Sequence, residues 1–240
     1  MTDVTAGKDK DMADGLSIVV PAYNEENLLA HTVEHLLATA PKNVEIIVVN
    51  DGSVDSTAGI IKELSEKNNK VIGIQLEENK GFGNAVRTGL MRASKTYAMI
   101  CPADYRFTLE DFDVYLVLIK YSDIVIGYRR HRRLEIPFYG KLISTVYHTL
   151  VNLIFNLNFF DVNWIHMYKR NQIDTFMGKS EGVFLLAENI IRAKRRGLRI
   201  VGVDVNYTER ESGVATGAQP KTILKTIWEL LVFFFNERPS

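Results

Sequence analysis

The chain of 240 residues holds one cysteine, no surplus of charge of either sign, and no uninterrupted apolar run of the length that crosses a membrane. The single Cys101 excludes an internal disulfide framework and suits a reducing compartment. With no partner at metal-ligand spacing, it reads as a small buried hydrophobe at a strand end. Twenty-nine acidic residues balance 29 basic ones, so nothing draws the chain as a whole toward nucleic acid. Residues 1–15 are polar and charged, lack the apolar core of a signal peptide, and read as a disordered lead. A membrane span needs about 20 predominantly apolar residues. The missing signal and span point to the cytoplasm.

What is present is ample apolar material, 46% of residues, enough for one sizeable core. It is organised in alternation. Apolar runs at 16–20, 44–49, 71–76, 97–101 and 122–127 read as strands. Helical patterns lie between them, such as Leu28, Leu29, Val33, Leu36 and Leu37, then Ile60, Ile61 and Leu64. Such alternation predicts an α/β domain with a mostly parallel sheet and helices on both faces. Helix starts are marked by Glu25 and Glu26, by Ser56 and Thr57, and by Thr108 followed by Glu110 and Asp111.

Two strand ends carry the functional signal. Leu16-Ser-Ile-Val-Val-Pro-Ala-Tyr-Asn-Glu25 and Val44-Glu-Ile-Ile-Val-Val-Asn-Asp-Gly-Ser-Val-Asp-Ser-Thr57 both break from an apolar run into acidic, turn-forming residues where a helix should begin. Ligands of parallel sheets sit in the crevice outside the strand carboxyl ends. Glu25 and Asp51 fall there. The same residues are also good turn and cap chemistry, so neither segment alone decides the matter.

Beyond Gly127 the texture changes. Residues 137–160 are rich in Leu, Ile, Val and Phe but interrupted by His148, Asn152, Asn156 and Asn158, which suits amphipathic interfacial helices rather than a span. The stretch from Ile223 to Phe235 reads as a C-terminal amphipathic helix within 216–240, a surface anchor or a contact between copies in a homo-oligomer, with an ordinary core helix as the alternative. Arg129-Arg-His-Arg-Arg133 and Arg192-Ala-Lys-Arg-Arg196 are basic clusters suited to phosphates or an anionic membrane face, the second reading more readily as a solvated helix surface.

Taken in order, Val20-Pro-Ala-Tyr-Asn-Glu25, Val48-Val-Asn-Asp-Gly-Ser-Val-Asp-Ser-Thr57, Asn79-Lys-Gly-Phe-Gly-Asn-Ala-Val-Arg-Thr-Gly89 and Gly127-Tyr-Arg129 resemble the family 2 glycosyltransferases of GT-A fold. Within these, the chain resembles the polyprenyl-phosphate (dolichol-phosphate) mannose or glucose synthases. Tyr168-Lys-Arg170 and Tyr207-Thr-Glu-Arg-Glu-Ser-Gly213 look like later elements of that branch. The likeness covers residues 16–213, and the chain is expected to form one such domain over 16–215.

The resemblance implies an inverting transfer of a hexose from GDP-mannose or a UDP-sugar to a polyprenyl or dolichyl phosphate, by a cytoplasmic enzyme attached peripherally to the membrane. It places Pro21, Tyr23, Glu25, Val49 and Asp51 in a nucleoside pocket. Tyr23 offers a stacking face, and the carboxylates can accept from base or ribose donors. Lys80 joins the donor-binding set through a glycine-bearing turn that would let a backbone approach phosphates. Asp104 occupies the metal-binding acidic motif, where Mg2+ or Mn2+ would hold diphosphate oxygens.

The chain departs from the pattern at this motif. Where those synthases carry Asp-x-Asp-x-Gln, it has Pro102-Ala103-Asp104-Tyr105-Arg106. Proline cannot ligate, and a cation beside one carboxylate disfavours a divalent ion. Arg106, with Arg129 and Arg210, is therefore expected to take over part of the metal's work, since guanidinium forks neutralise a diphosphate directly. Lys141 and Ser144 could add contacts to a phosphate headgroup.

Two other functions fit the residues. A hydroxyl acceptor would need a carboxylate base, for which Glu188 and Asp161 are the candidates. A non-catalytic nucleotide-sugar binder would explain the altered acidic motif and Trp164-Ile-His-Met, which replaces a small, glycine-containing segment and puts His166 in a pocket wall.

Overall fold

A computed structural model describes residues 14–104, 107–129, 138–159, 161–205 and 220–237. The first half alternates β1 (Leu16–Ala22), α1 (Leu29–Thr39), β2 (Val44–Asn50), α2 (Thr57–Lys67), β3 (Val71–Gln75), α3 (Phe82–Arg92), β4 (Tyr97–Ile100), α4 (Leu109–Tyr121) and β5 (Ile124–Arg129). Then come α5 (Phe138–Phe155), β6 (His166–Lys169), α6 (Arg170–Phe176), α7 (Phe184–Arg195), β7 (Ile200–Val205) and α8 (Pro220–Asn236).

The seven strands form one sheet in the order β3-β2-β1-β4-β6-β5-β7. β6 runs antiparallel to both its neighbours, and the other ladders are parallel. The α/β expectation therefore holds, with one antiparallel strand inserted. β1 and β2 are buried along their whole length, as unbroken Val/Ile runs require when helices cover both faces. One core layer packs Leu29, Val33, Leu36, Phe112 and Tyr115 on one side of the sheet. The other packs Val86, Leu90, Phe184 and Ile190 on the opposite side.

Helix starts follow local chemistry at one site and tertiary contacts at another. Thr108 and Asp111 form a full capping box at α4, the side-chain hydroxyl accepting from Asp111 N at 3.2 Å while the Asp111 carboxylate accepts from Thr108 N at 3.0 Å. Thr57 instead turns its hydroxyl away from α2 to accept from Glu25 N at 2.9 Å. Residues 137–160, expected as interfacial helices, contain one 18-residue helix, α5. It stops where Asn152 holds the returning chain, exchanging hydrogen bonds with Phe159, and where Asn156 takes a positive φ of 50°. Among the described residues, no helix is long and apolar enough to cross a membrane. Cys101 is fully buried, and burial pushes its thiol pKa up, with Asp104 adding to the effect.

Candidate functional site

The carboxyl ends of β1 and β2 are in register, Pro21 opposite Val49 and Ala22 opposite Asn50. Pro21 and Val49 are buried as partners on one rung of the two strands, while Tyr23, the first residue past β1, is 40% exposed. The loops leaving these strands hold one another. Asn24 N donates to Ser53 Oγ at 2.9 Å, and Val54 N donates back to Asn24 Oδ1 at 3.0 Å. Ser56 N donates to Glu26 Oε2 at 3.0 Å, and Glu26 N donates to Asp55 Oδ2 at 3.3 Å. Asn24, at φ 54°, and Gly52, at φ 67°, sit in the left-handed region this geometry requires. For Asp55, burial works to raise the pKa, but hydrogen bonds from Thr57 and Glu26 outweigh it and hold the carboxyl below its ordinary value.

Asp51 is buried and reaches a third loop. Its two oxygens accept from Lys80 N at 3.0 Å and Gly81 N at 2.8 Å. The Asp51 carboxylate thus ties β2 to the turn that opens α3, and Pro21, Tyr23, Glu25, Val49, Asp51 and Lys80 all gather at one edge of the sheet.

That turn does not present its amides as a phosphate cradle. Gly81 N is taken by Asp51, and Gly83 N and Asn84 N both donate to Glu181 O, at 2.7 and 3.2 Å. The glycines serve a close backbone approach of another kind. A Cβ on Gly83 would stand 2.4 Å from Gly182 O, and Gly81 combines φ 109° with a would-be Cβ 2.7 Å from Glu181 O. Lys80 keeps an exposed ammonium 3.4 Å from Glu78.

Past β4, helix α1 grips the acidic motif. Thr32 Oγ1 donates to Ala103 O at 2.5 Å, and His35 Nε2 lies 2.7 Å from Phe107 O. Asp104, half-buried, lies between these two anchors. Arg106 and Arg210 lie outside the described residues, as do Arg130, Arg132 and Arg133. Arg129 closes β5, paired with Val205, and Lys141 and Ser144 lie in the first turns of α5.

Glu188 differs from the base expected for a hydroxyl acceptor. It is 2% exposed, and its oxygens accept from Lys179 N at 3.0 Å, Ser180 N at 2.9 Å and Arg192 Nε at 2.8 Å. Burial works to raise its pKa, yet the hydrogen bonds from Ser180, Arg192 and Lys179 keep it lowered. The residue clamps the loop before α7, and Asp161 is the other carboxylate candidate. Asp161 is buried, 3.3 Å from His148 Nε2, and accepts from Asn163 N at 3.2 Å. His166 opens β6 at this edge, fully buried, its Nδ1 2.7 Å from Tyr168 Oη. Burial lowers its pKa to about 4, against the pull of Asp161.

The second basic cluster is more than a solvated face. Arg192 pairs with both Glu188 and Glu237, and the Arg195 guanidinium lies 5.9 Å from the Phe155 ring and 5.5 Å from the Phe233 ring. α5 and α8 meet there, the rings of Phe155 and Phe233 5.6 Å apart. Both helices leave apolar residues in solvent, Val146, Leu150 and Leu153 on α5 and Leu224, Trp228, Leu231 and Phe235 on α8.

Sequence reasoning missed the partners of these residues rather than the residues themselves. Asn24, Ser53 and Asp55 were legible only as turn chemistry, His148 only as an interruption of an apolar helix, and Glu229, which holds Gly182 N at 2.8 Å, lay inside an apolar stretch with nothing to mark it.

Residues 17–176 match the model of Glycosyl transferase family 2, and the chain belongs to that family. It is 29% identical over 204 residues to glycosyltransferase GlyA of Streptococcus pneumoniae, covering 74% of this chain and 29% of that protein. It is 36% identical over 110 residues to the poly-beta-1,6-N-acetyl-D-glucosamine synthase of Staphylococcus aureus, covering 46% of this chain and 26% of that protein. The chain thus spans under a third of the length of these curated relatives. Among solved structures, glucosyl-3-phosphoglycerate synthase of Mycobacterium tuberculosis, bound to Mn2+, UDP and phosphoglyceric acid, superposes with a TM-score of 0.70 at 17% identity, covering 92% of this chain and 78% of that one. TarS of S. aureus gives a TM-score of 0.59 at 17% identity, covering 94% and 67%. The expected GT-A fold is the one this chain adopts.

Proposed function

We propose that this family 2 member is an inverting glycosyltransferase that moves a hexose from a nucleoside-diphosphate sugar, GDP-mannose or a UDP-sugar, to a polyprenyl or dolichyl phosphate at a membrane surface. The observation that carries the acceptor is the apolar surface of α5 and α8, exposed beside basic residues of α7 and suited to lying on a membrane. The donor half rests on the convergence of Pro21, Tyr23, Glu25, Val49, Asp51 and Lys80. Tyr23 supplies a stacking face, Pro21 and Val49 the apolar wall, Glu25 and Asp51 the acceptors, and Lys80 a cation toward the diphosphate.

A phosphate acceptor needs no carboxylate base, because a second pKa of about 6 leaves it mostly dianionic at neutral pH. Its oxygen attacks the anomeric carbon as the bond to the diphosphate breaks, and the nucleoside diphosphate departs with the electron pair. Positioning and charge neutralisation then carry the rate.

A divalent cation in this fold would stabilise the leaving diphosphate. The residues at the motif do not make a protein cage for one. Pro102 offers no ligand, Asp104 is the single carboxylate there, and among the described residues no group of three His, Cys, Asp or Glu side chains could hold a metal ion. In this reading Arg106, Arg129 and Arg210 neutralise the diphosphate in place of part of the metal's work.

Transfer from a panel of nucleotide sugars, with and without polyprenyl phosphate and in excess chelator, tests the proposal. Turnover that requires the lipid phosphate and survives chelation supports it. Complete loss in chelator, restored only by added metal, overturns the arginine assignment. Turnover onto a hydroxyl acceptor would shift the function to the second reading, which the buried His148–Asp161 pair favours with Asp161 as base. Nucleotide binding with no turnover under any condition would leave a nucleotide-sugar binder.

A further inference from the structure

We infer that α8 carries membrane contact into the donor site: its outward face seats on an anionic bilayer while Glu229 and Lys225 on its other side set the turn that Asp51 also holds. This rests on the membrane reading above and adds a coupling to it.

Helix α8 is apolar in two directions. Inward, Leu230 and Phe233 are buried, Phe233 packing against Phe155 and Phe184 with centroids 5.6 Å apart in each case. Outward, Leu224, Trp228, Leu231 and Phe235 are 68%, 67%, 44% and 60% exposed. Their spacing of four, three and four residues puts them on one stripe, roughly 16 Å long at the rise of an α-helix. A bilayer is the occupant that the charges fit. The acid of α8 and the one just past it turn away from the stripe, Glu229 to Gly182 N and Glu237 to Arg192 and Arg195. The solvent-facing charges at the end of α7, Lys194 and Arg196, are cationic, and Lys225 faces the exposed Glu181 at 3.8 Å. An apolar stripe with cations beside it at the α7 end fits anionic headgroups.

From the inner face a short path leads to the donor residues. Glu229 Oε1 accepts from Gly182 N at 2.8 Å, and a Cβ on Gly182 would stand 2.6 Å from Glu229 Oε2, so helix and loop fit without slack. Glu181 O in the same loop receives Gly83 N and Asn84 N. Lys225 Nζ reaches Lys80 O at 3.5 Å and lies 3.8 Å from Glu181. Lys80 N and Gly81 N are the two donors on Asp51. A shift of α8 toward a membrane is therefore passed through one loop to the residues expected to hold the nucleotide.

The test combines vesicle flotation with titration of UDP and GDP, using phosphatidylcholine vesicles with and without phosphatidylglycerol. The protein is expected to float with the anionic vesicles only, and its affinity for the nucleotide it binds to rise about fivefold or more on them. Trp228→Ser with Leu231→Ser should abolish flotation and the gain together. Glu229→Gln should keep flotation and lose the gain. Lys225→Ala, at an exposed position that does not threaten folding, should reduce the gain in the same way. Failure of the wild-type protein to float, or light scattering that shows the stripe covered by a second copy, overturns both the membrane reading and the coupling. Flotation with unchanged affinity, with no binding of either nucleotide, or with the full gain kept in both Glu229→Gln and Lys225→Ala, overturns the coupling alone.

Discussion

The two ends of β2 carry the same chemical device and use it differently. At the amino end, Glu45 is buried and accepts from Ser17 Oγ at 2.6 Å, Ser94 N at 2.7 Å and Ser94 Oγ at 2.8 Å. At the carboxyl end, Asp51 is buried and accepts from Lys80 N and Gly81 N. Around Glu45 the partners are hydroxyls and one amide, and no residue there takes a positive φ. Around Asp51 stand Asn24, Gly52 and Gly81, all at positive φ, with the half-open ring of Tyr23 beside them. Buried carboxylates are thus not informative by themselves. Left-handed backbone turns and an exposed aromatic ring separate the end that gathers the candidate residues from the end that closes the fold.

The sharpest way to break this comparison is to remove each carboxylate. Asp51→Ala should lower affinity for UDP or GDP about 100-fold, because freeing two amides costs about 3 kcal/mol and releases the turn. Glu45→Ala should cost a similar amount in unfolding free energy while nucleotide affinity, measured by calorimetry, stays that of the parent. A large stability loss from Asp51→Ala with unchanged affinity would make the two ends equivalent.

Acid should tell the ends apart by pH. His166, at the same edge as Asp51, is held neutral with a pKa of about 4 against an ordinary 6.5. The unfolded chain binds its proton first, so stability should fall as pH drops from 6.5 to 4, by about 3 kcal/mol in all. His166→Phe should flatten that limb in chemical denaturation. Glu45 behaves oppositely in origin: burial works to raise its pKa, but the Ser17 and Ser94 bonds win and lower it below 4.5. Its contribution is full above 4.5 and is lost as pH falls through the depressed value, a limb that Glu45→Gln should remove.

Smaller effects refine the picture. Gly83→Ala places a methyl against Gly182 O, so about 2 kcal/mol of stability should be lost and nucleotide affinity should fall with it. Tyr23→Ala should cost only about 1 kcal/mol, all of it in nucleotide affinity and none in melting temperature, if the ring stacks on a base.

Much of this was legible in the sequence. Ile18 to Val20 and Ile46 to Val49 read as doubly covered strands, because burial on both faces demands apolar residues at every position. β6 was not legible, since four residues with a histidine and a lysine at its ends carry no period. β7 was not either, being an edge strand whose residues are largely half-exposed. The acids at strand ends were visible, and so was Glu188 as one polar position on an apolar helix. Its partners at residues 179 and 180 were not, because nothing in a linear pattern says which loop folds over a helix.

The sequence by itself determined the alternation of strands and helices, the turns at residues 50–57 and 79–84, and the set of acids and cations available at the sheet edge. Tertiary structure alone decided what each does. Asp51 meets amides 29 and 30 residues away, and Gly182 meets a carboxylate 47 residues away. Periodicity reports which way a side chain points. Partners so distant are fixed only when packed layers bring the loops together, and it is the partner that decides whether a buried acid anchors the fold or shapes a site.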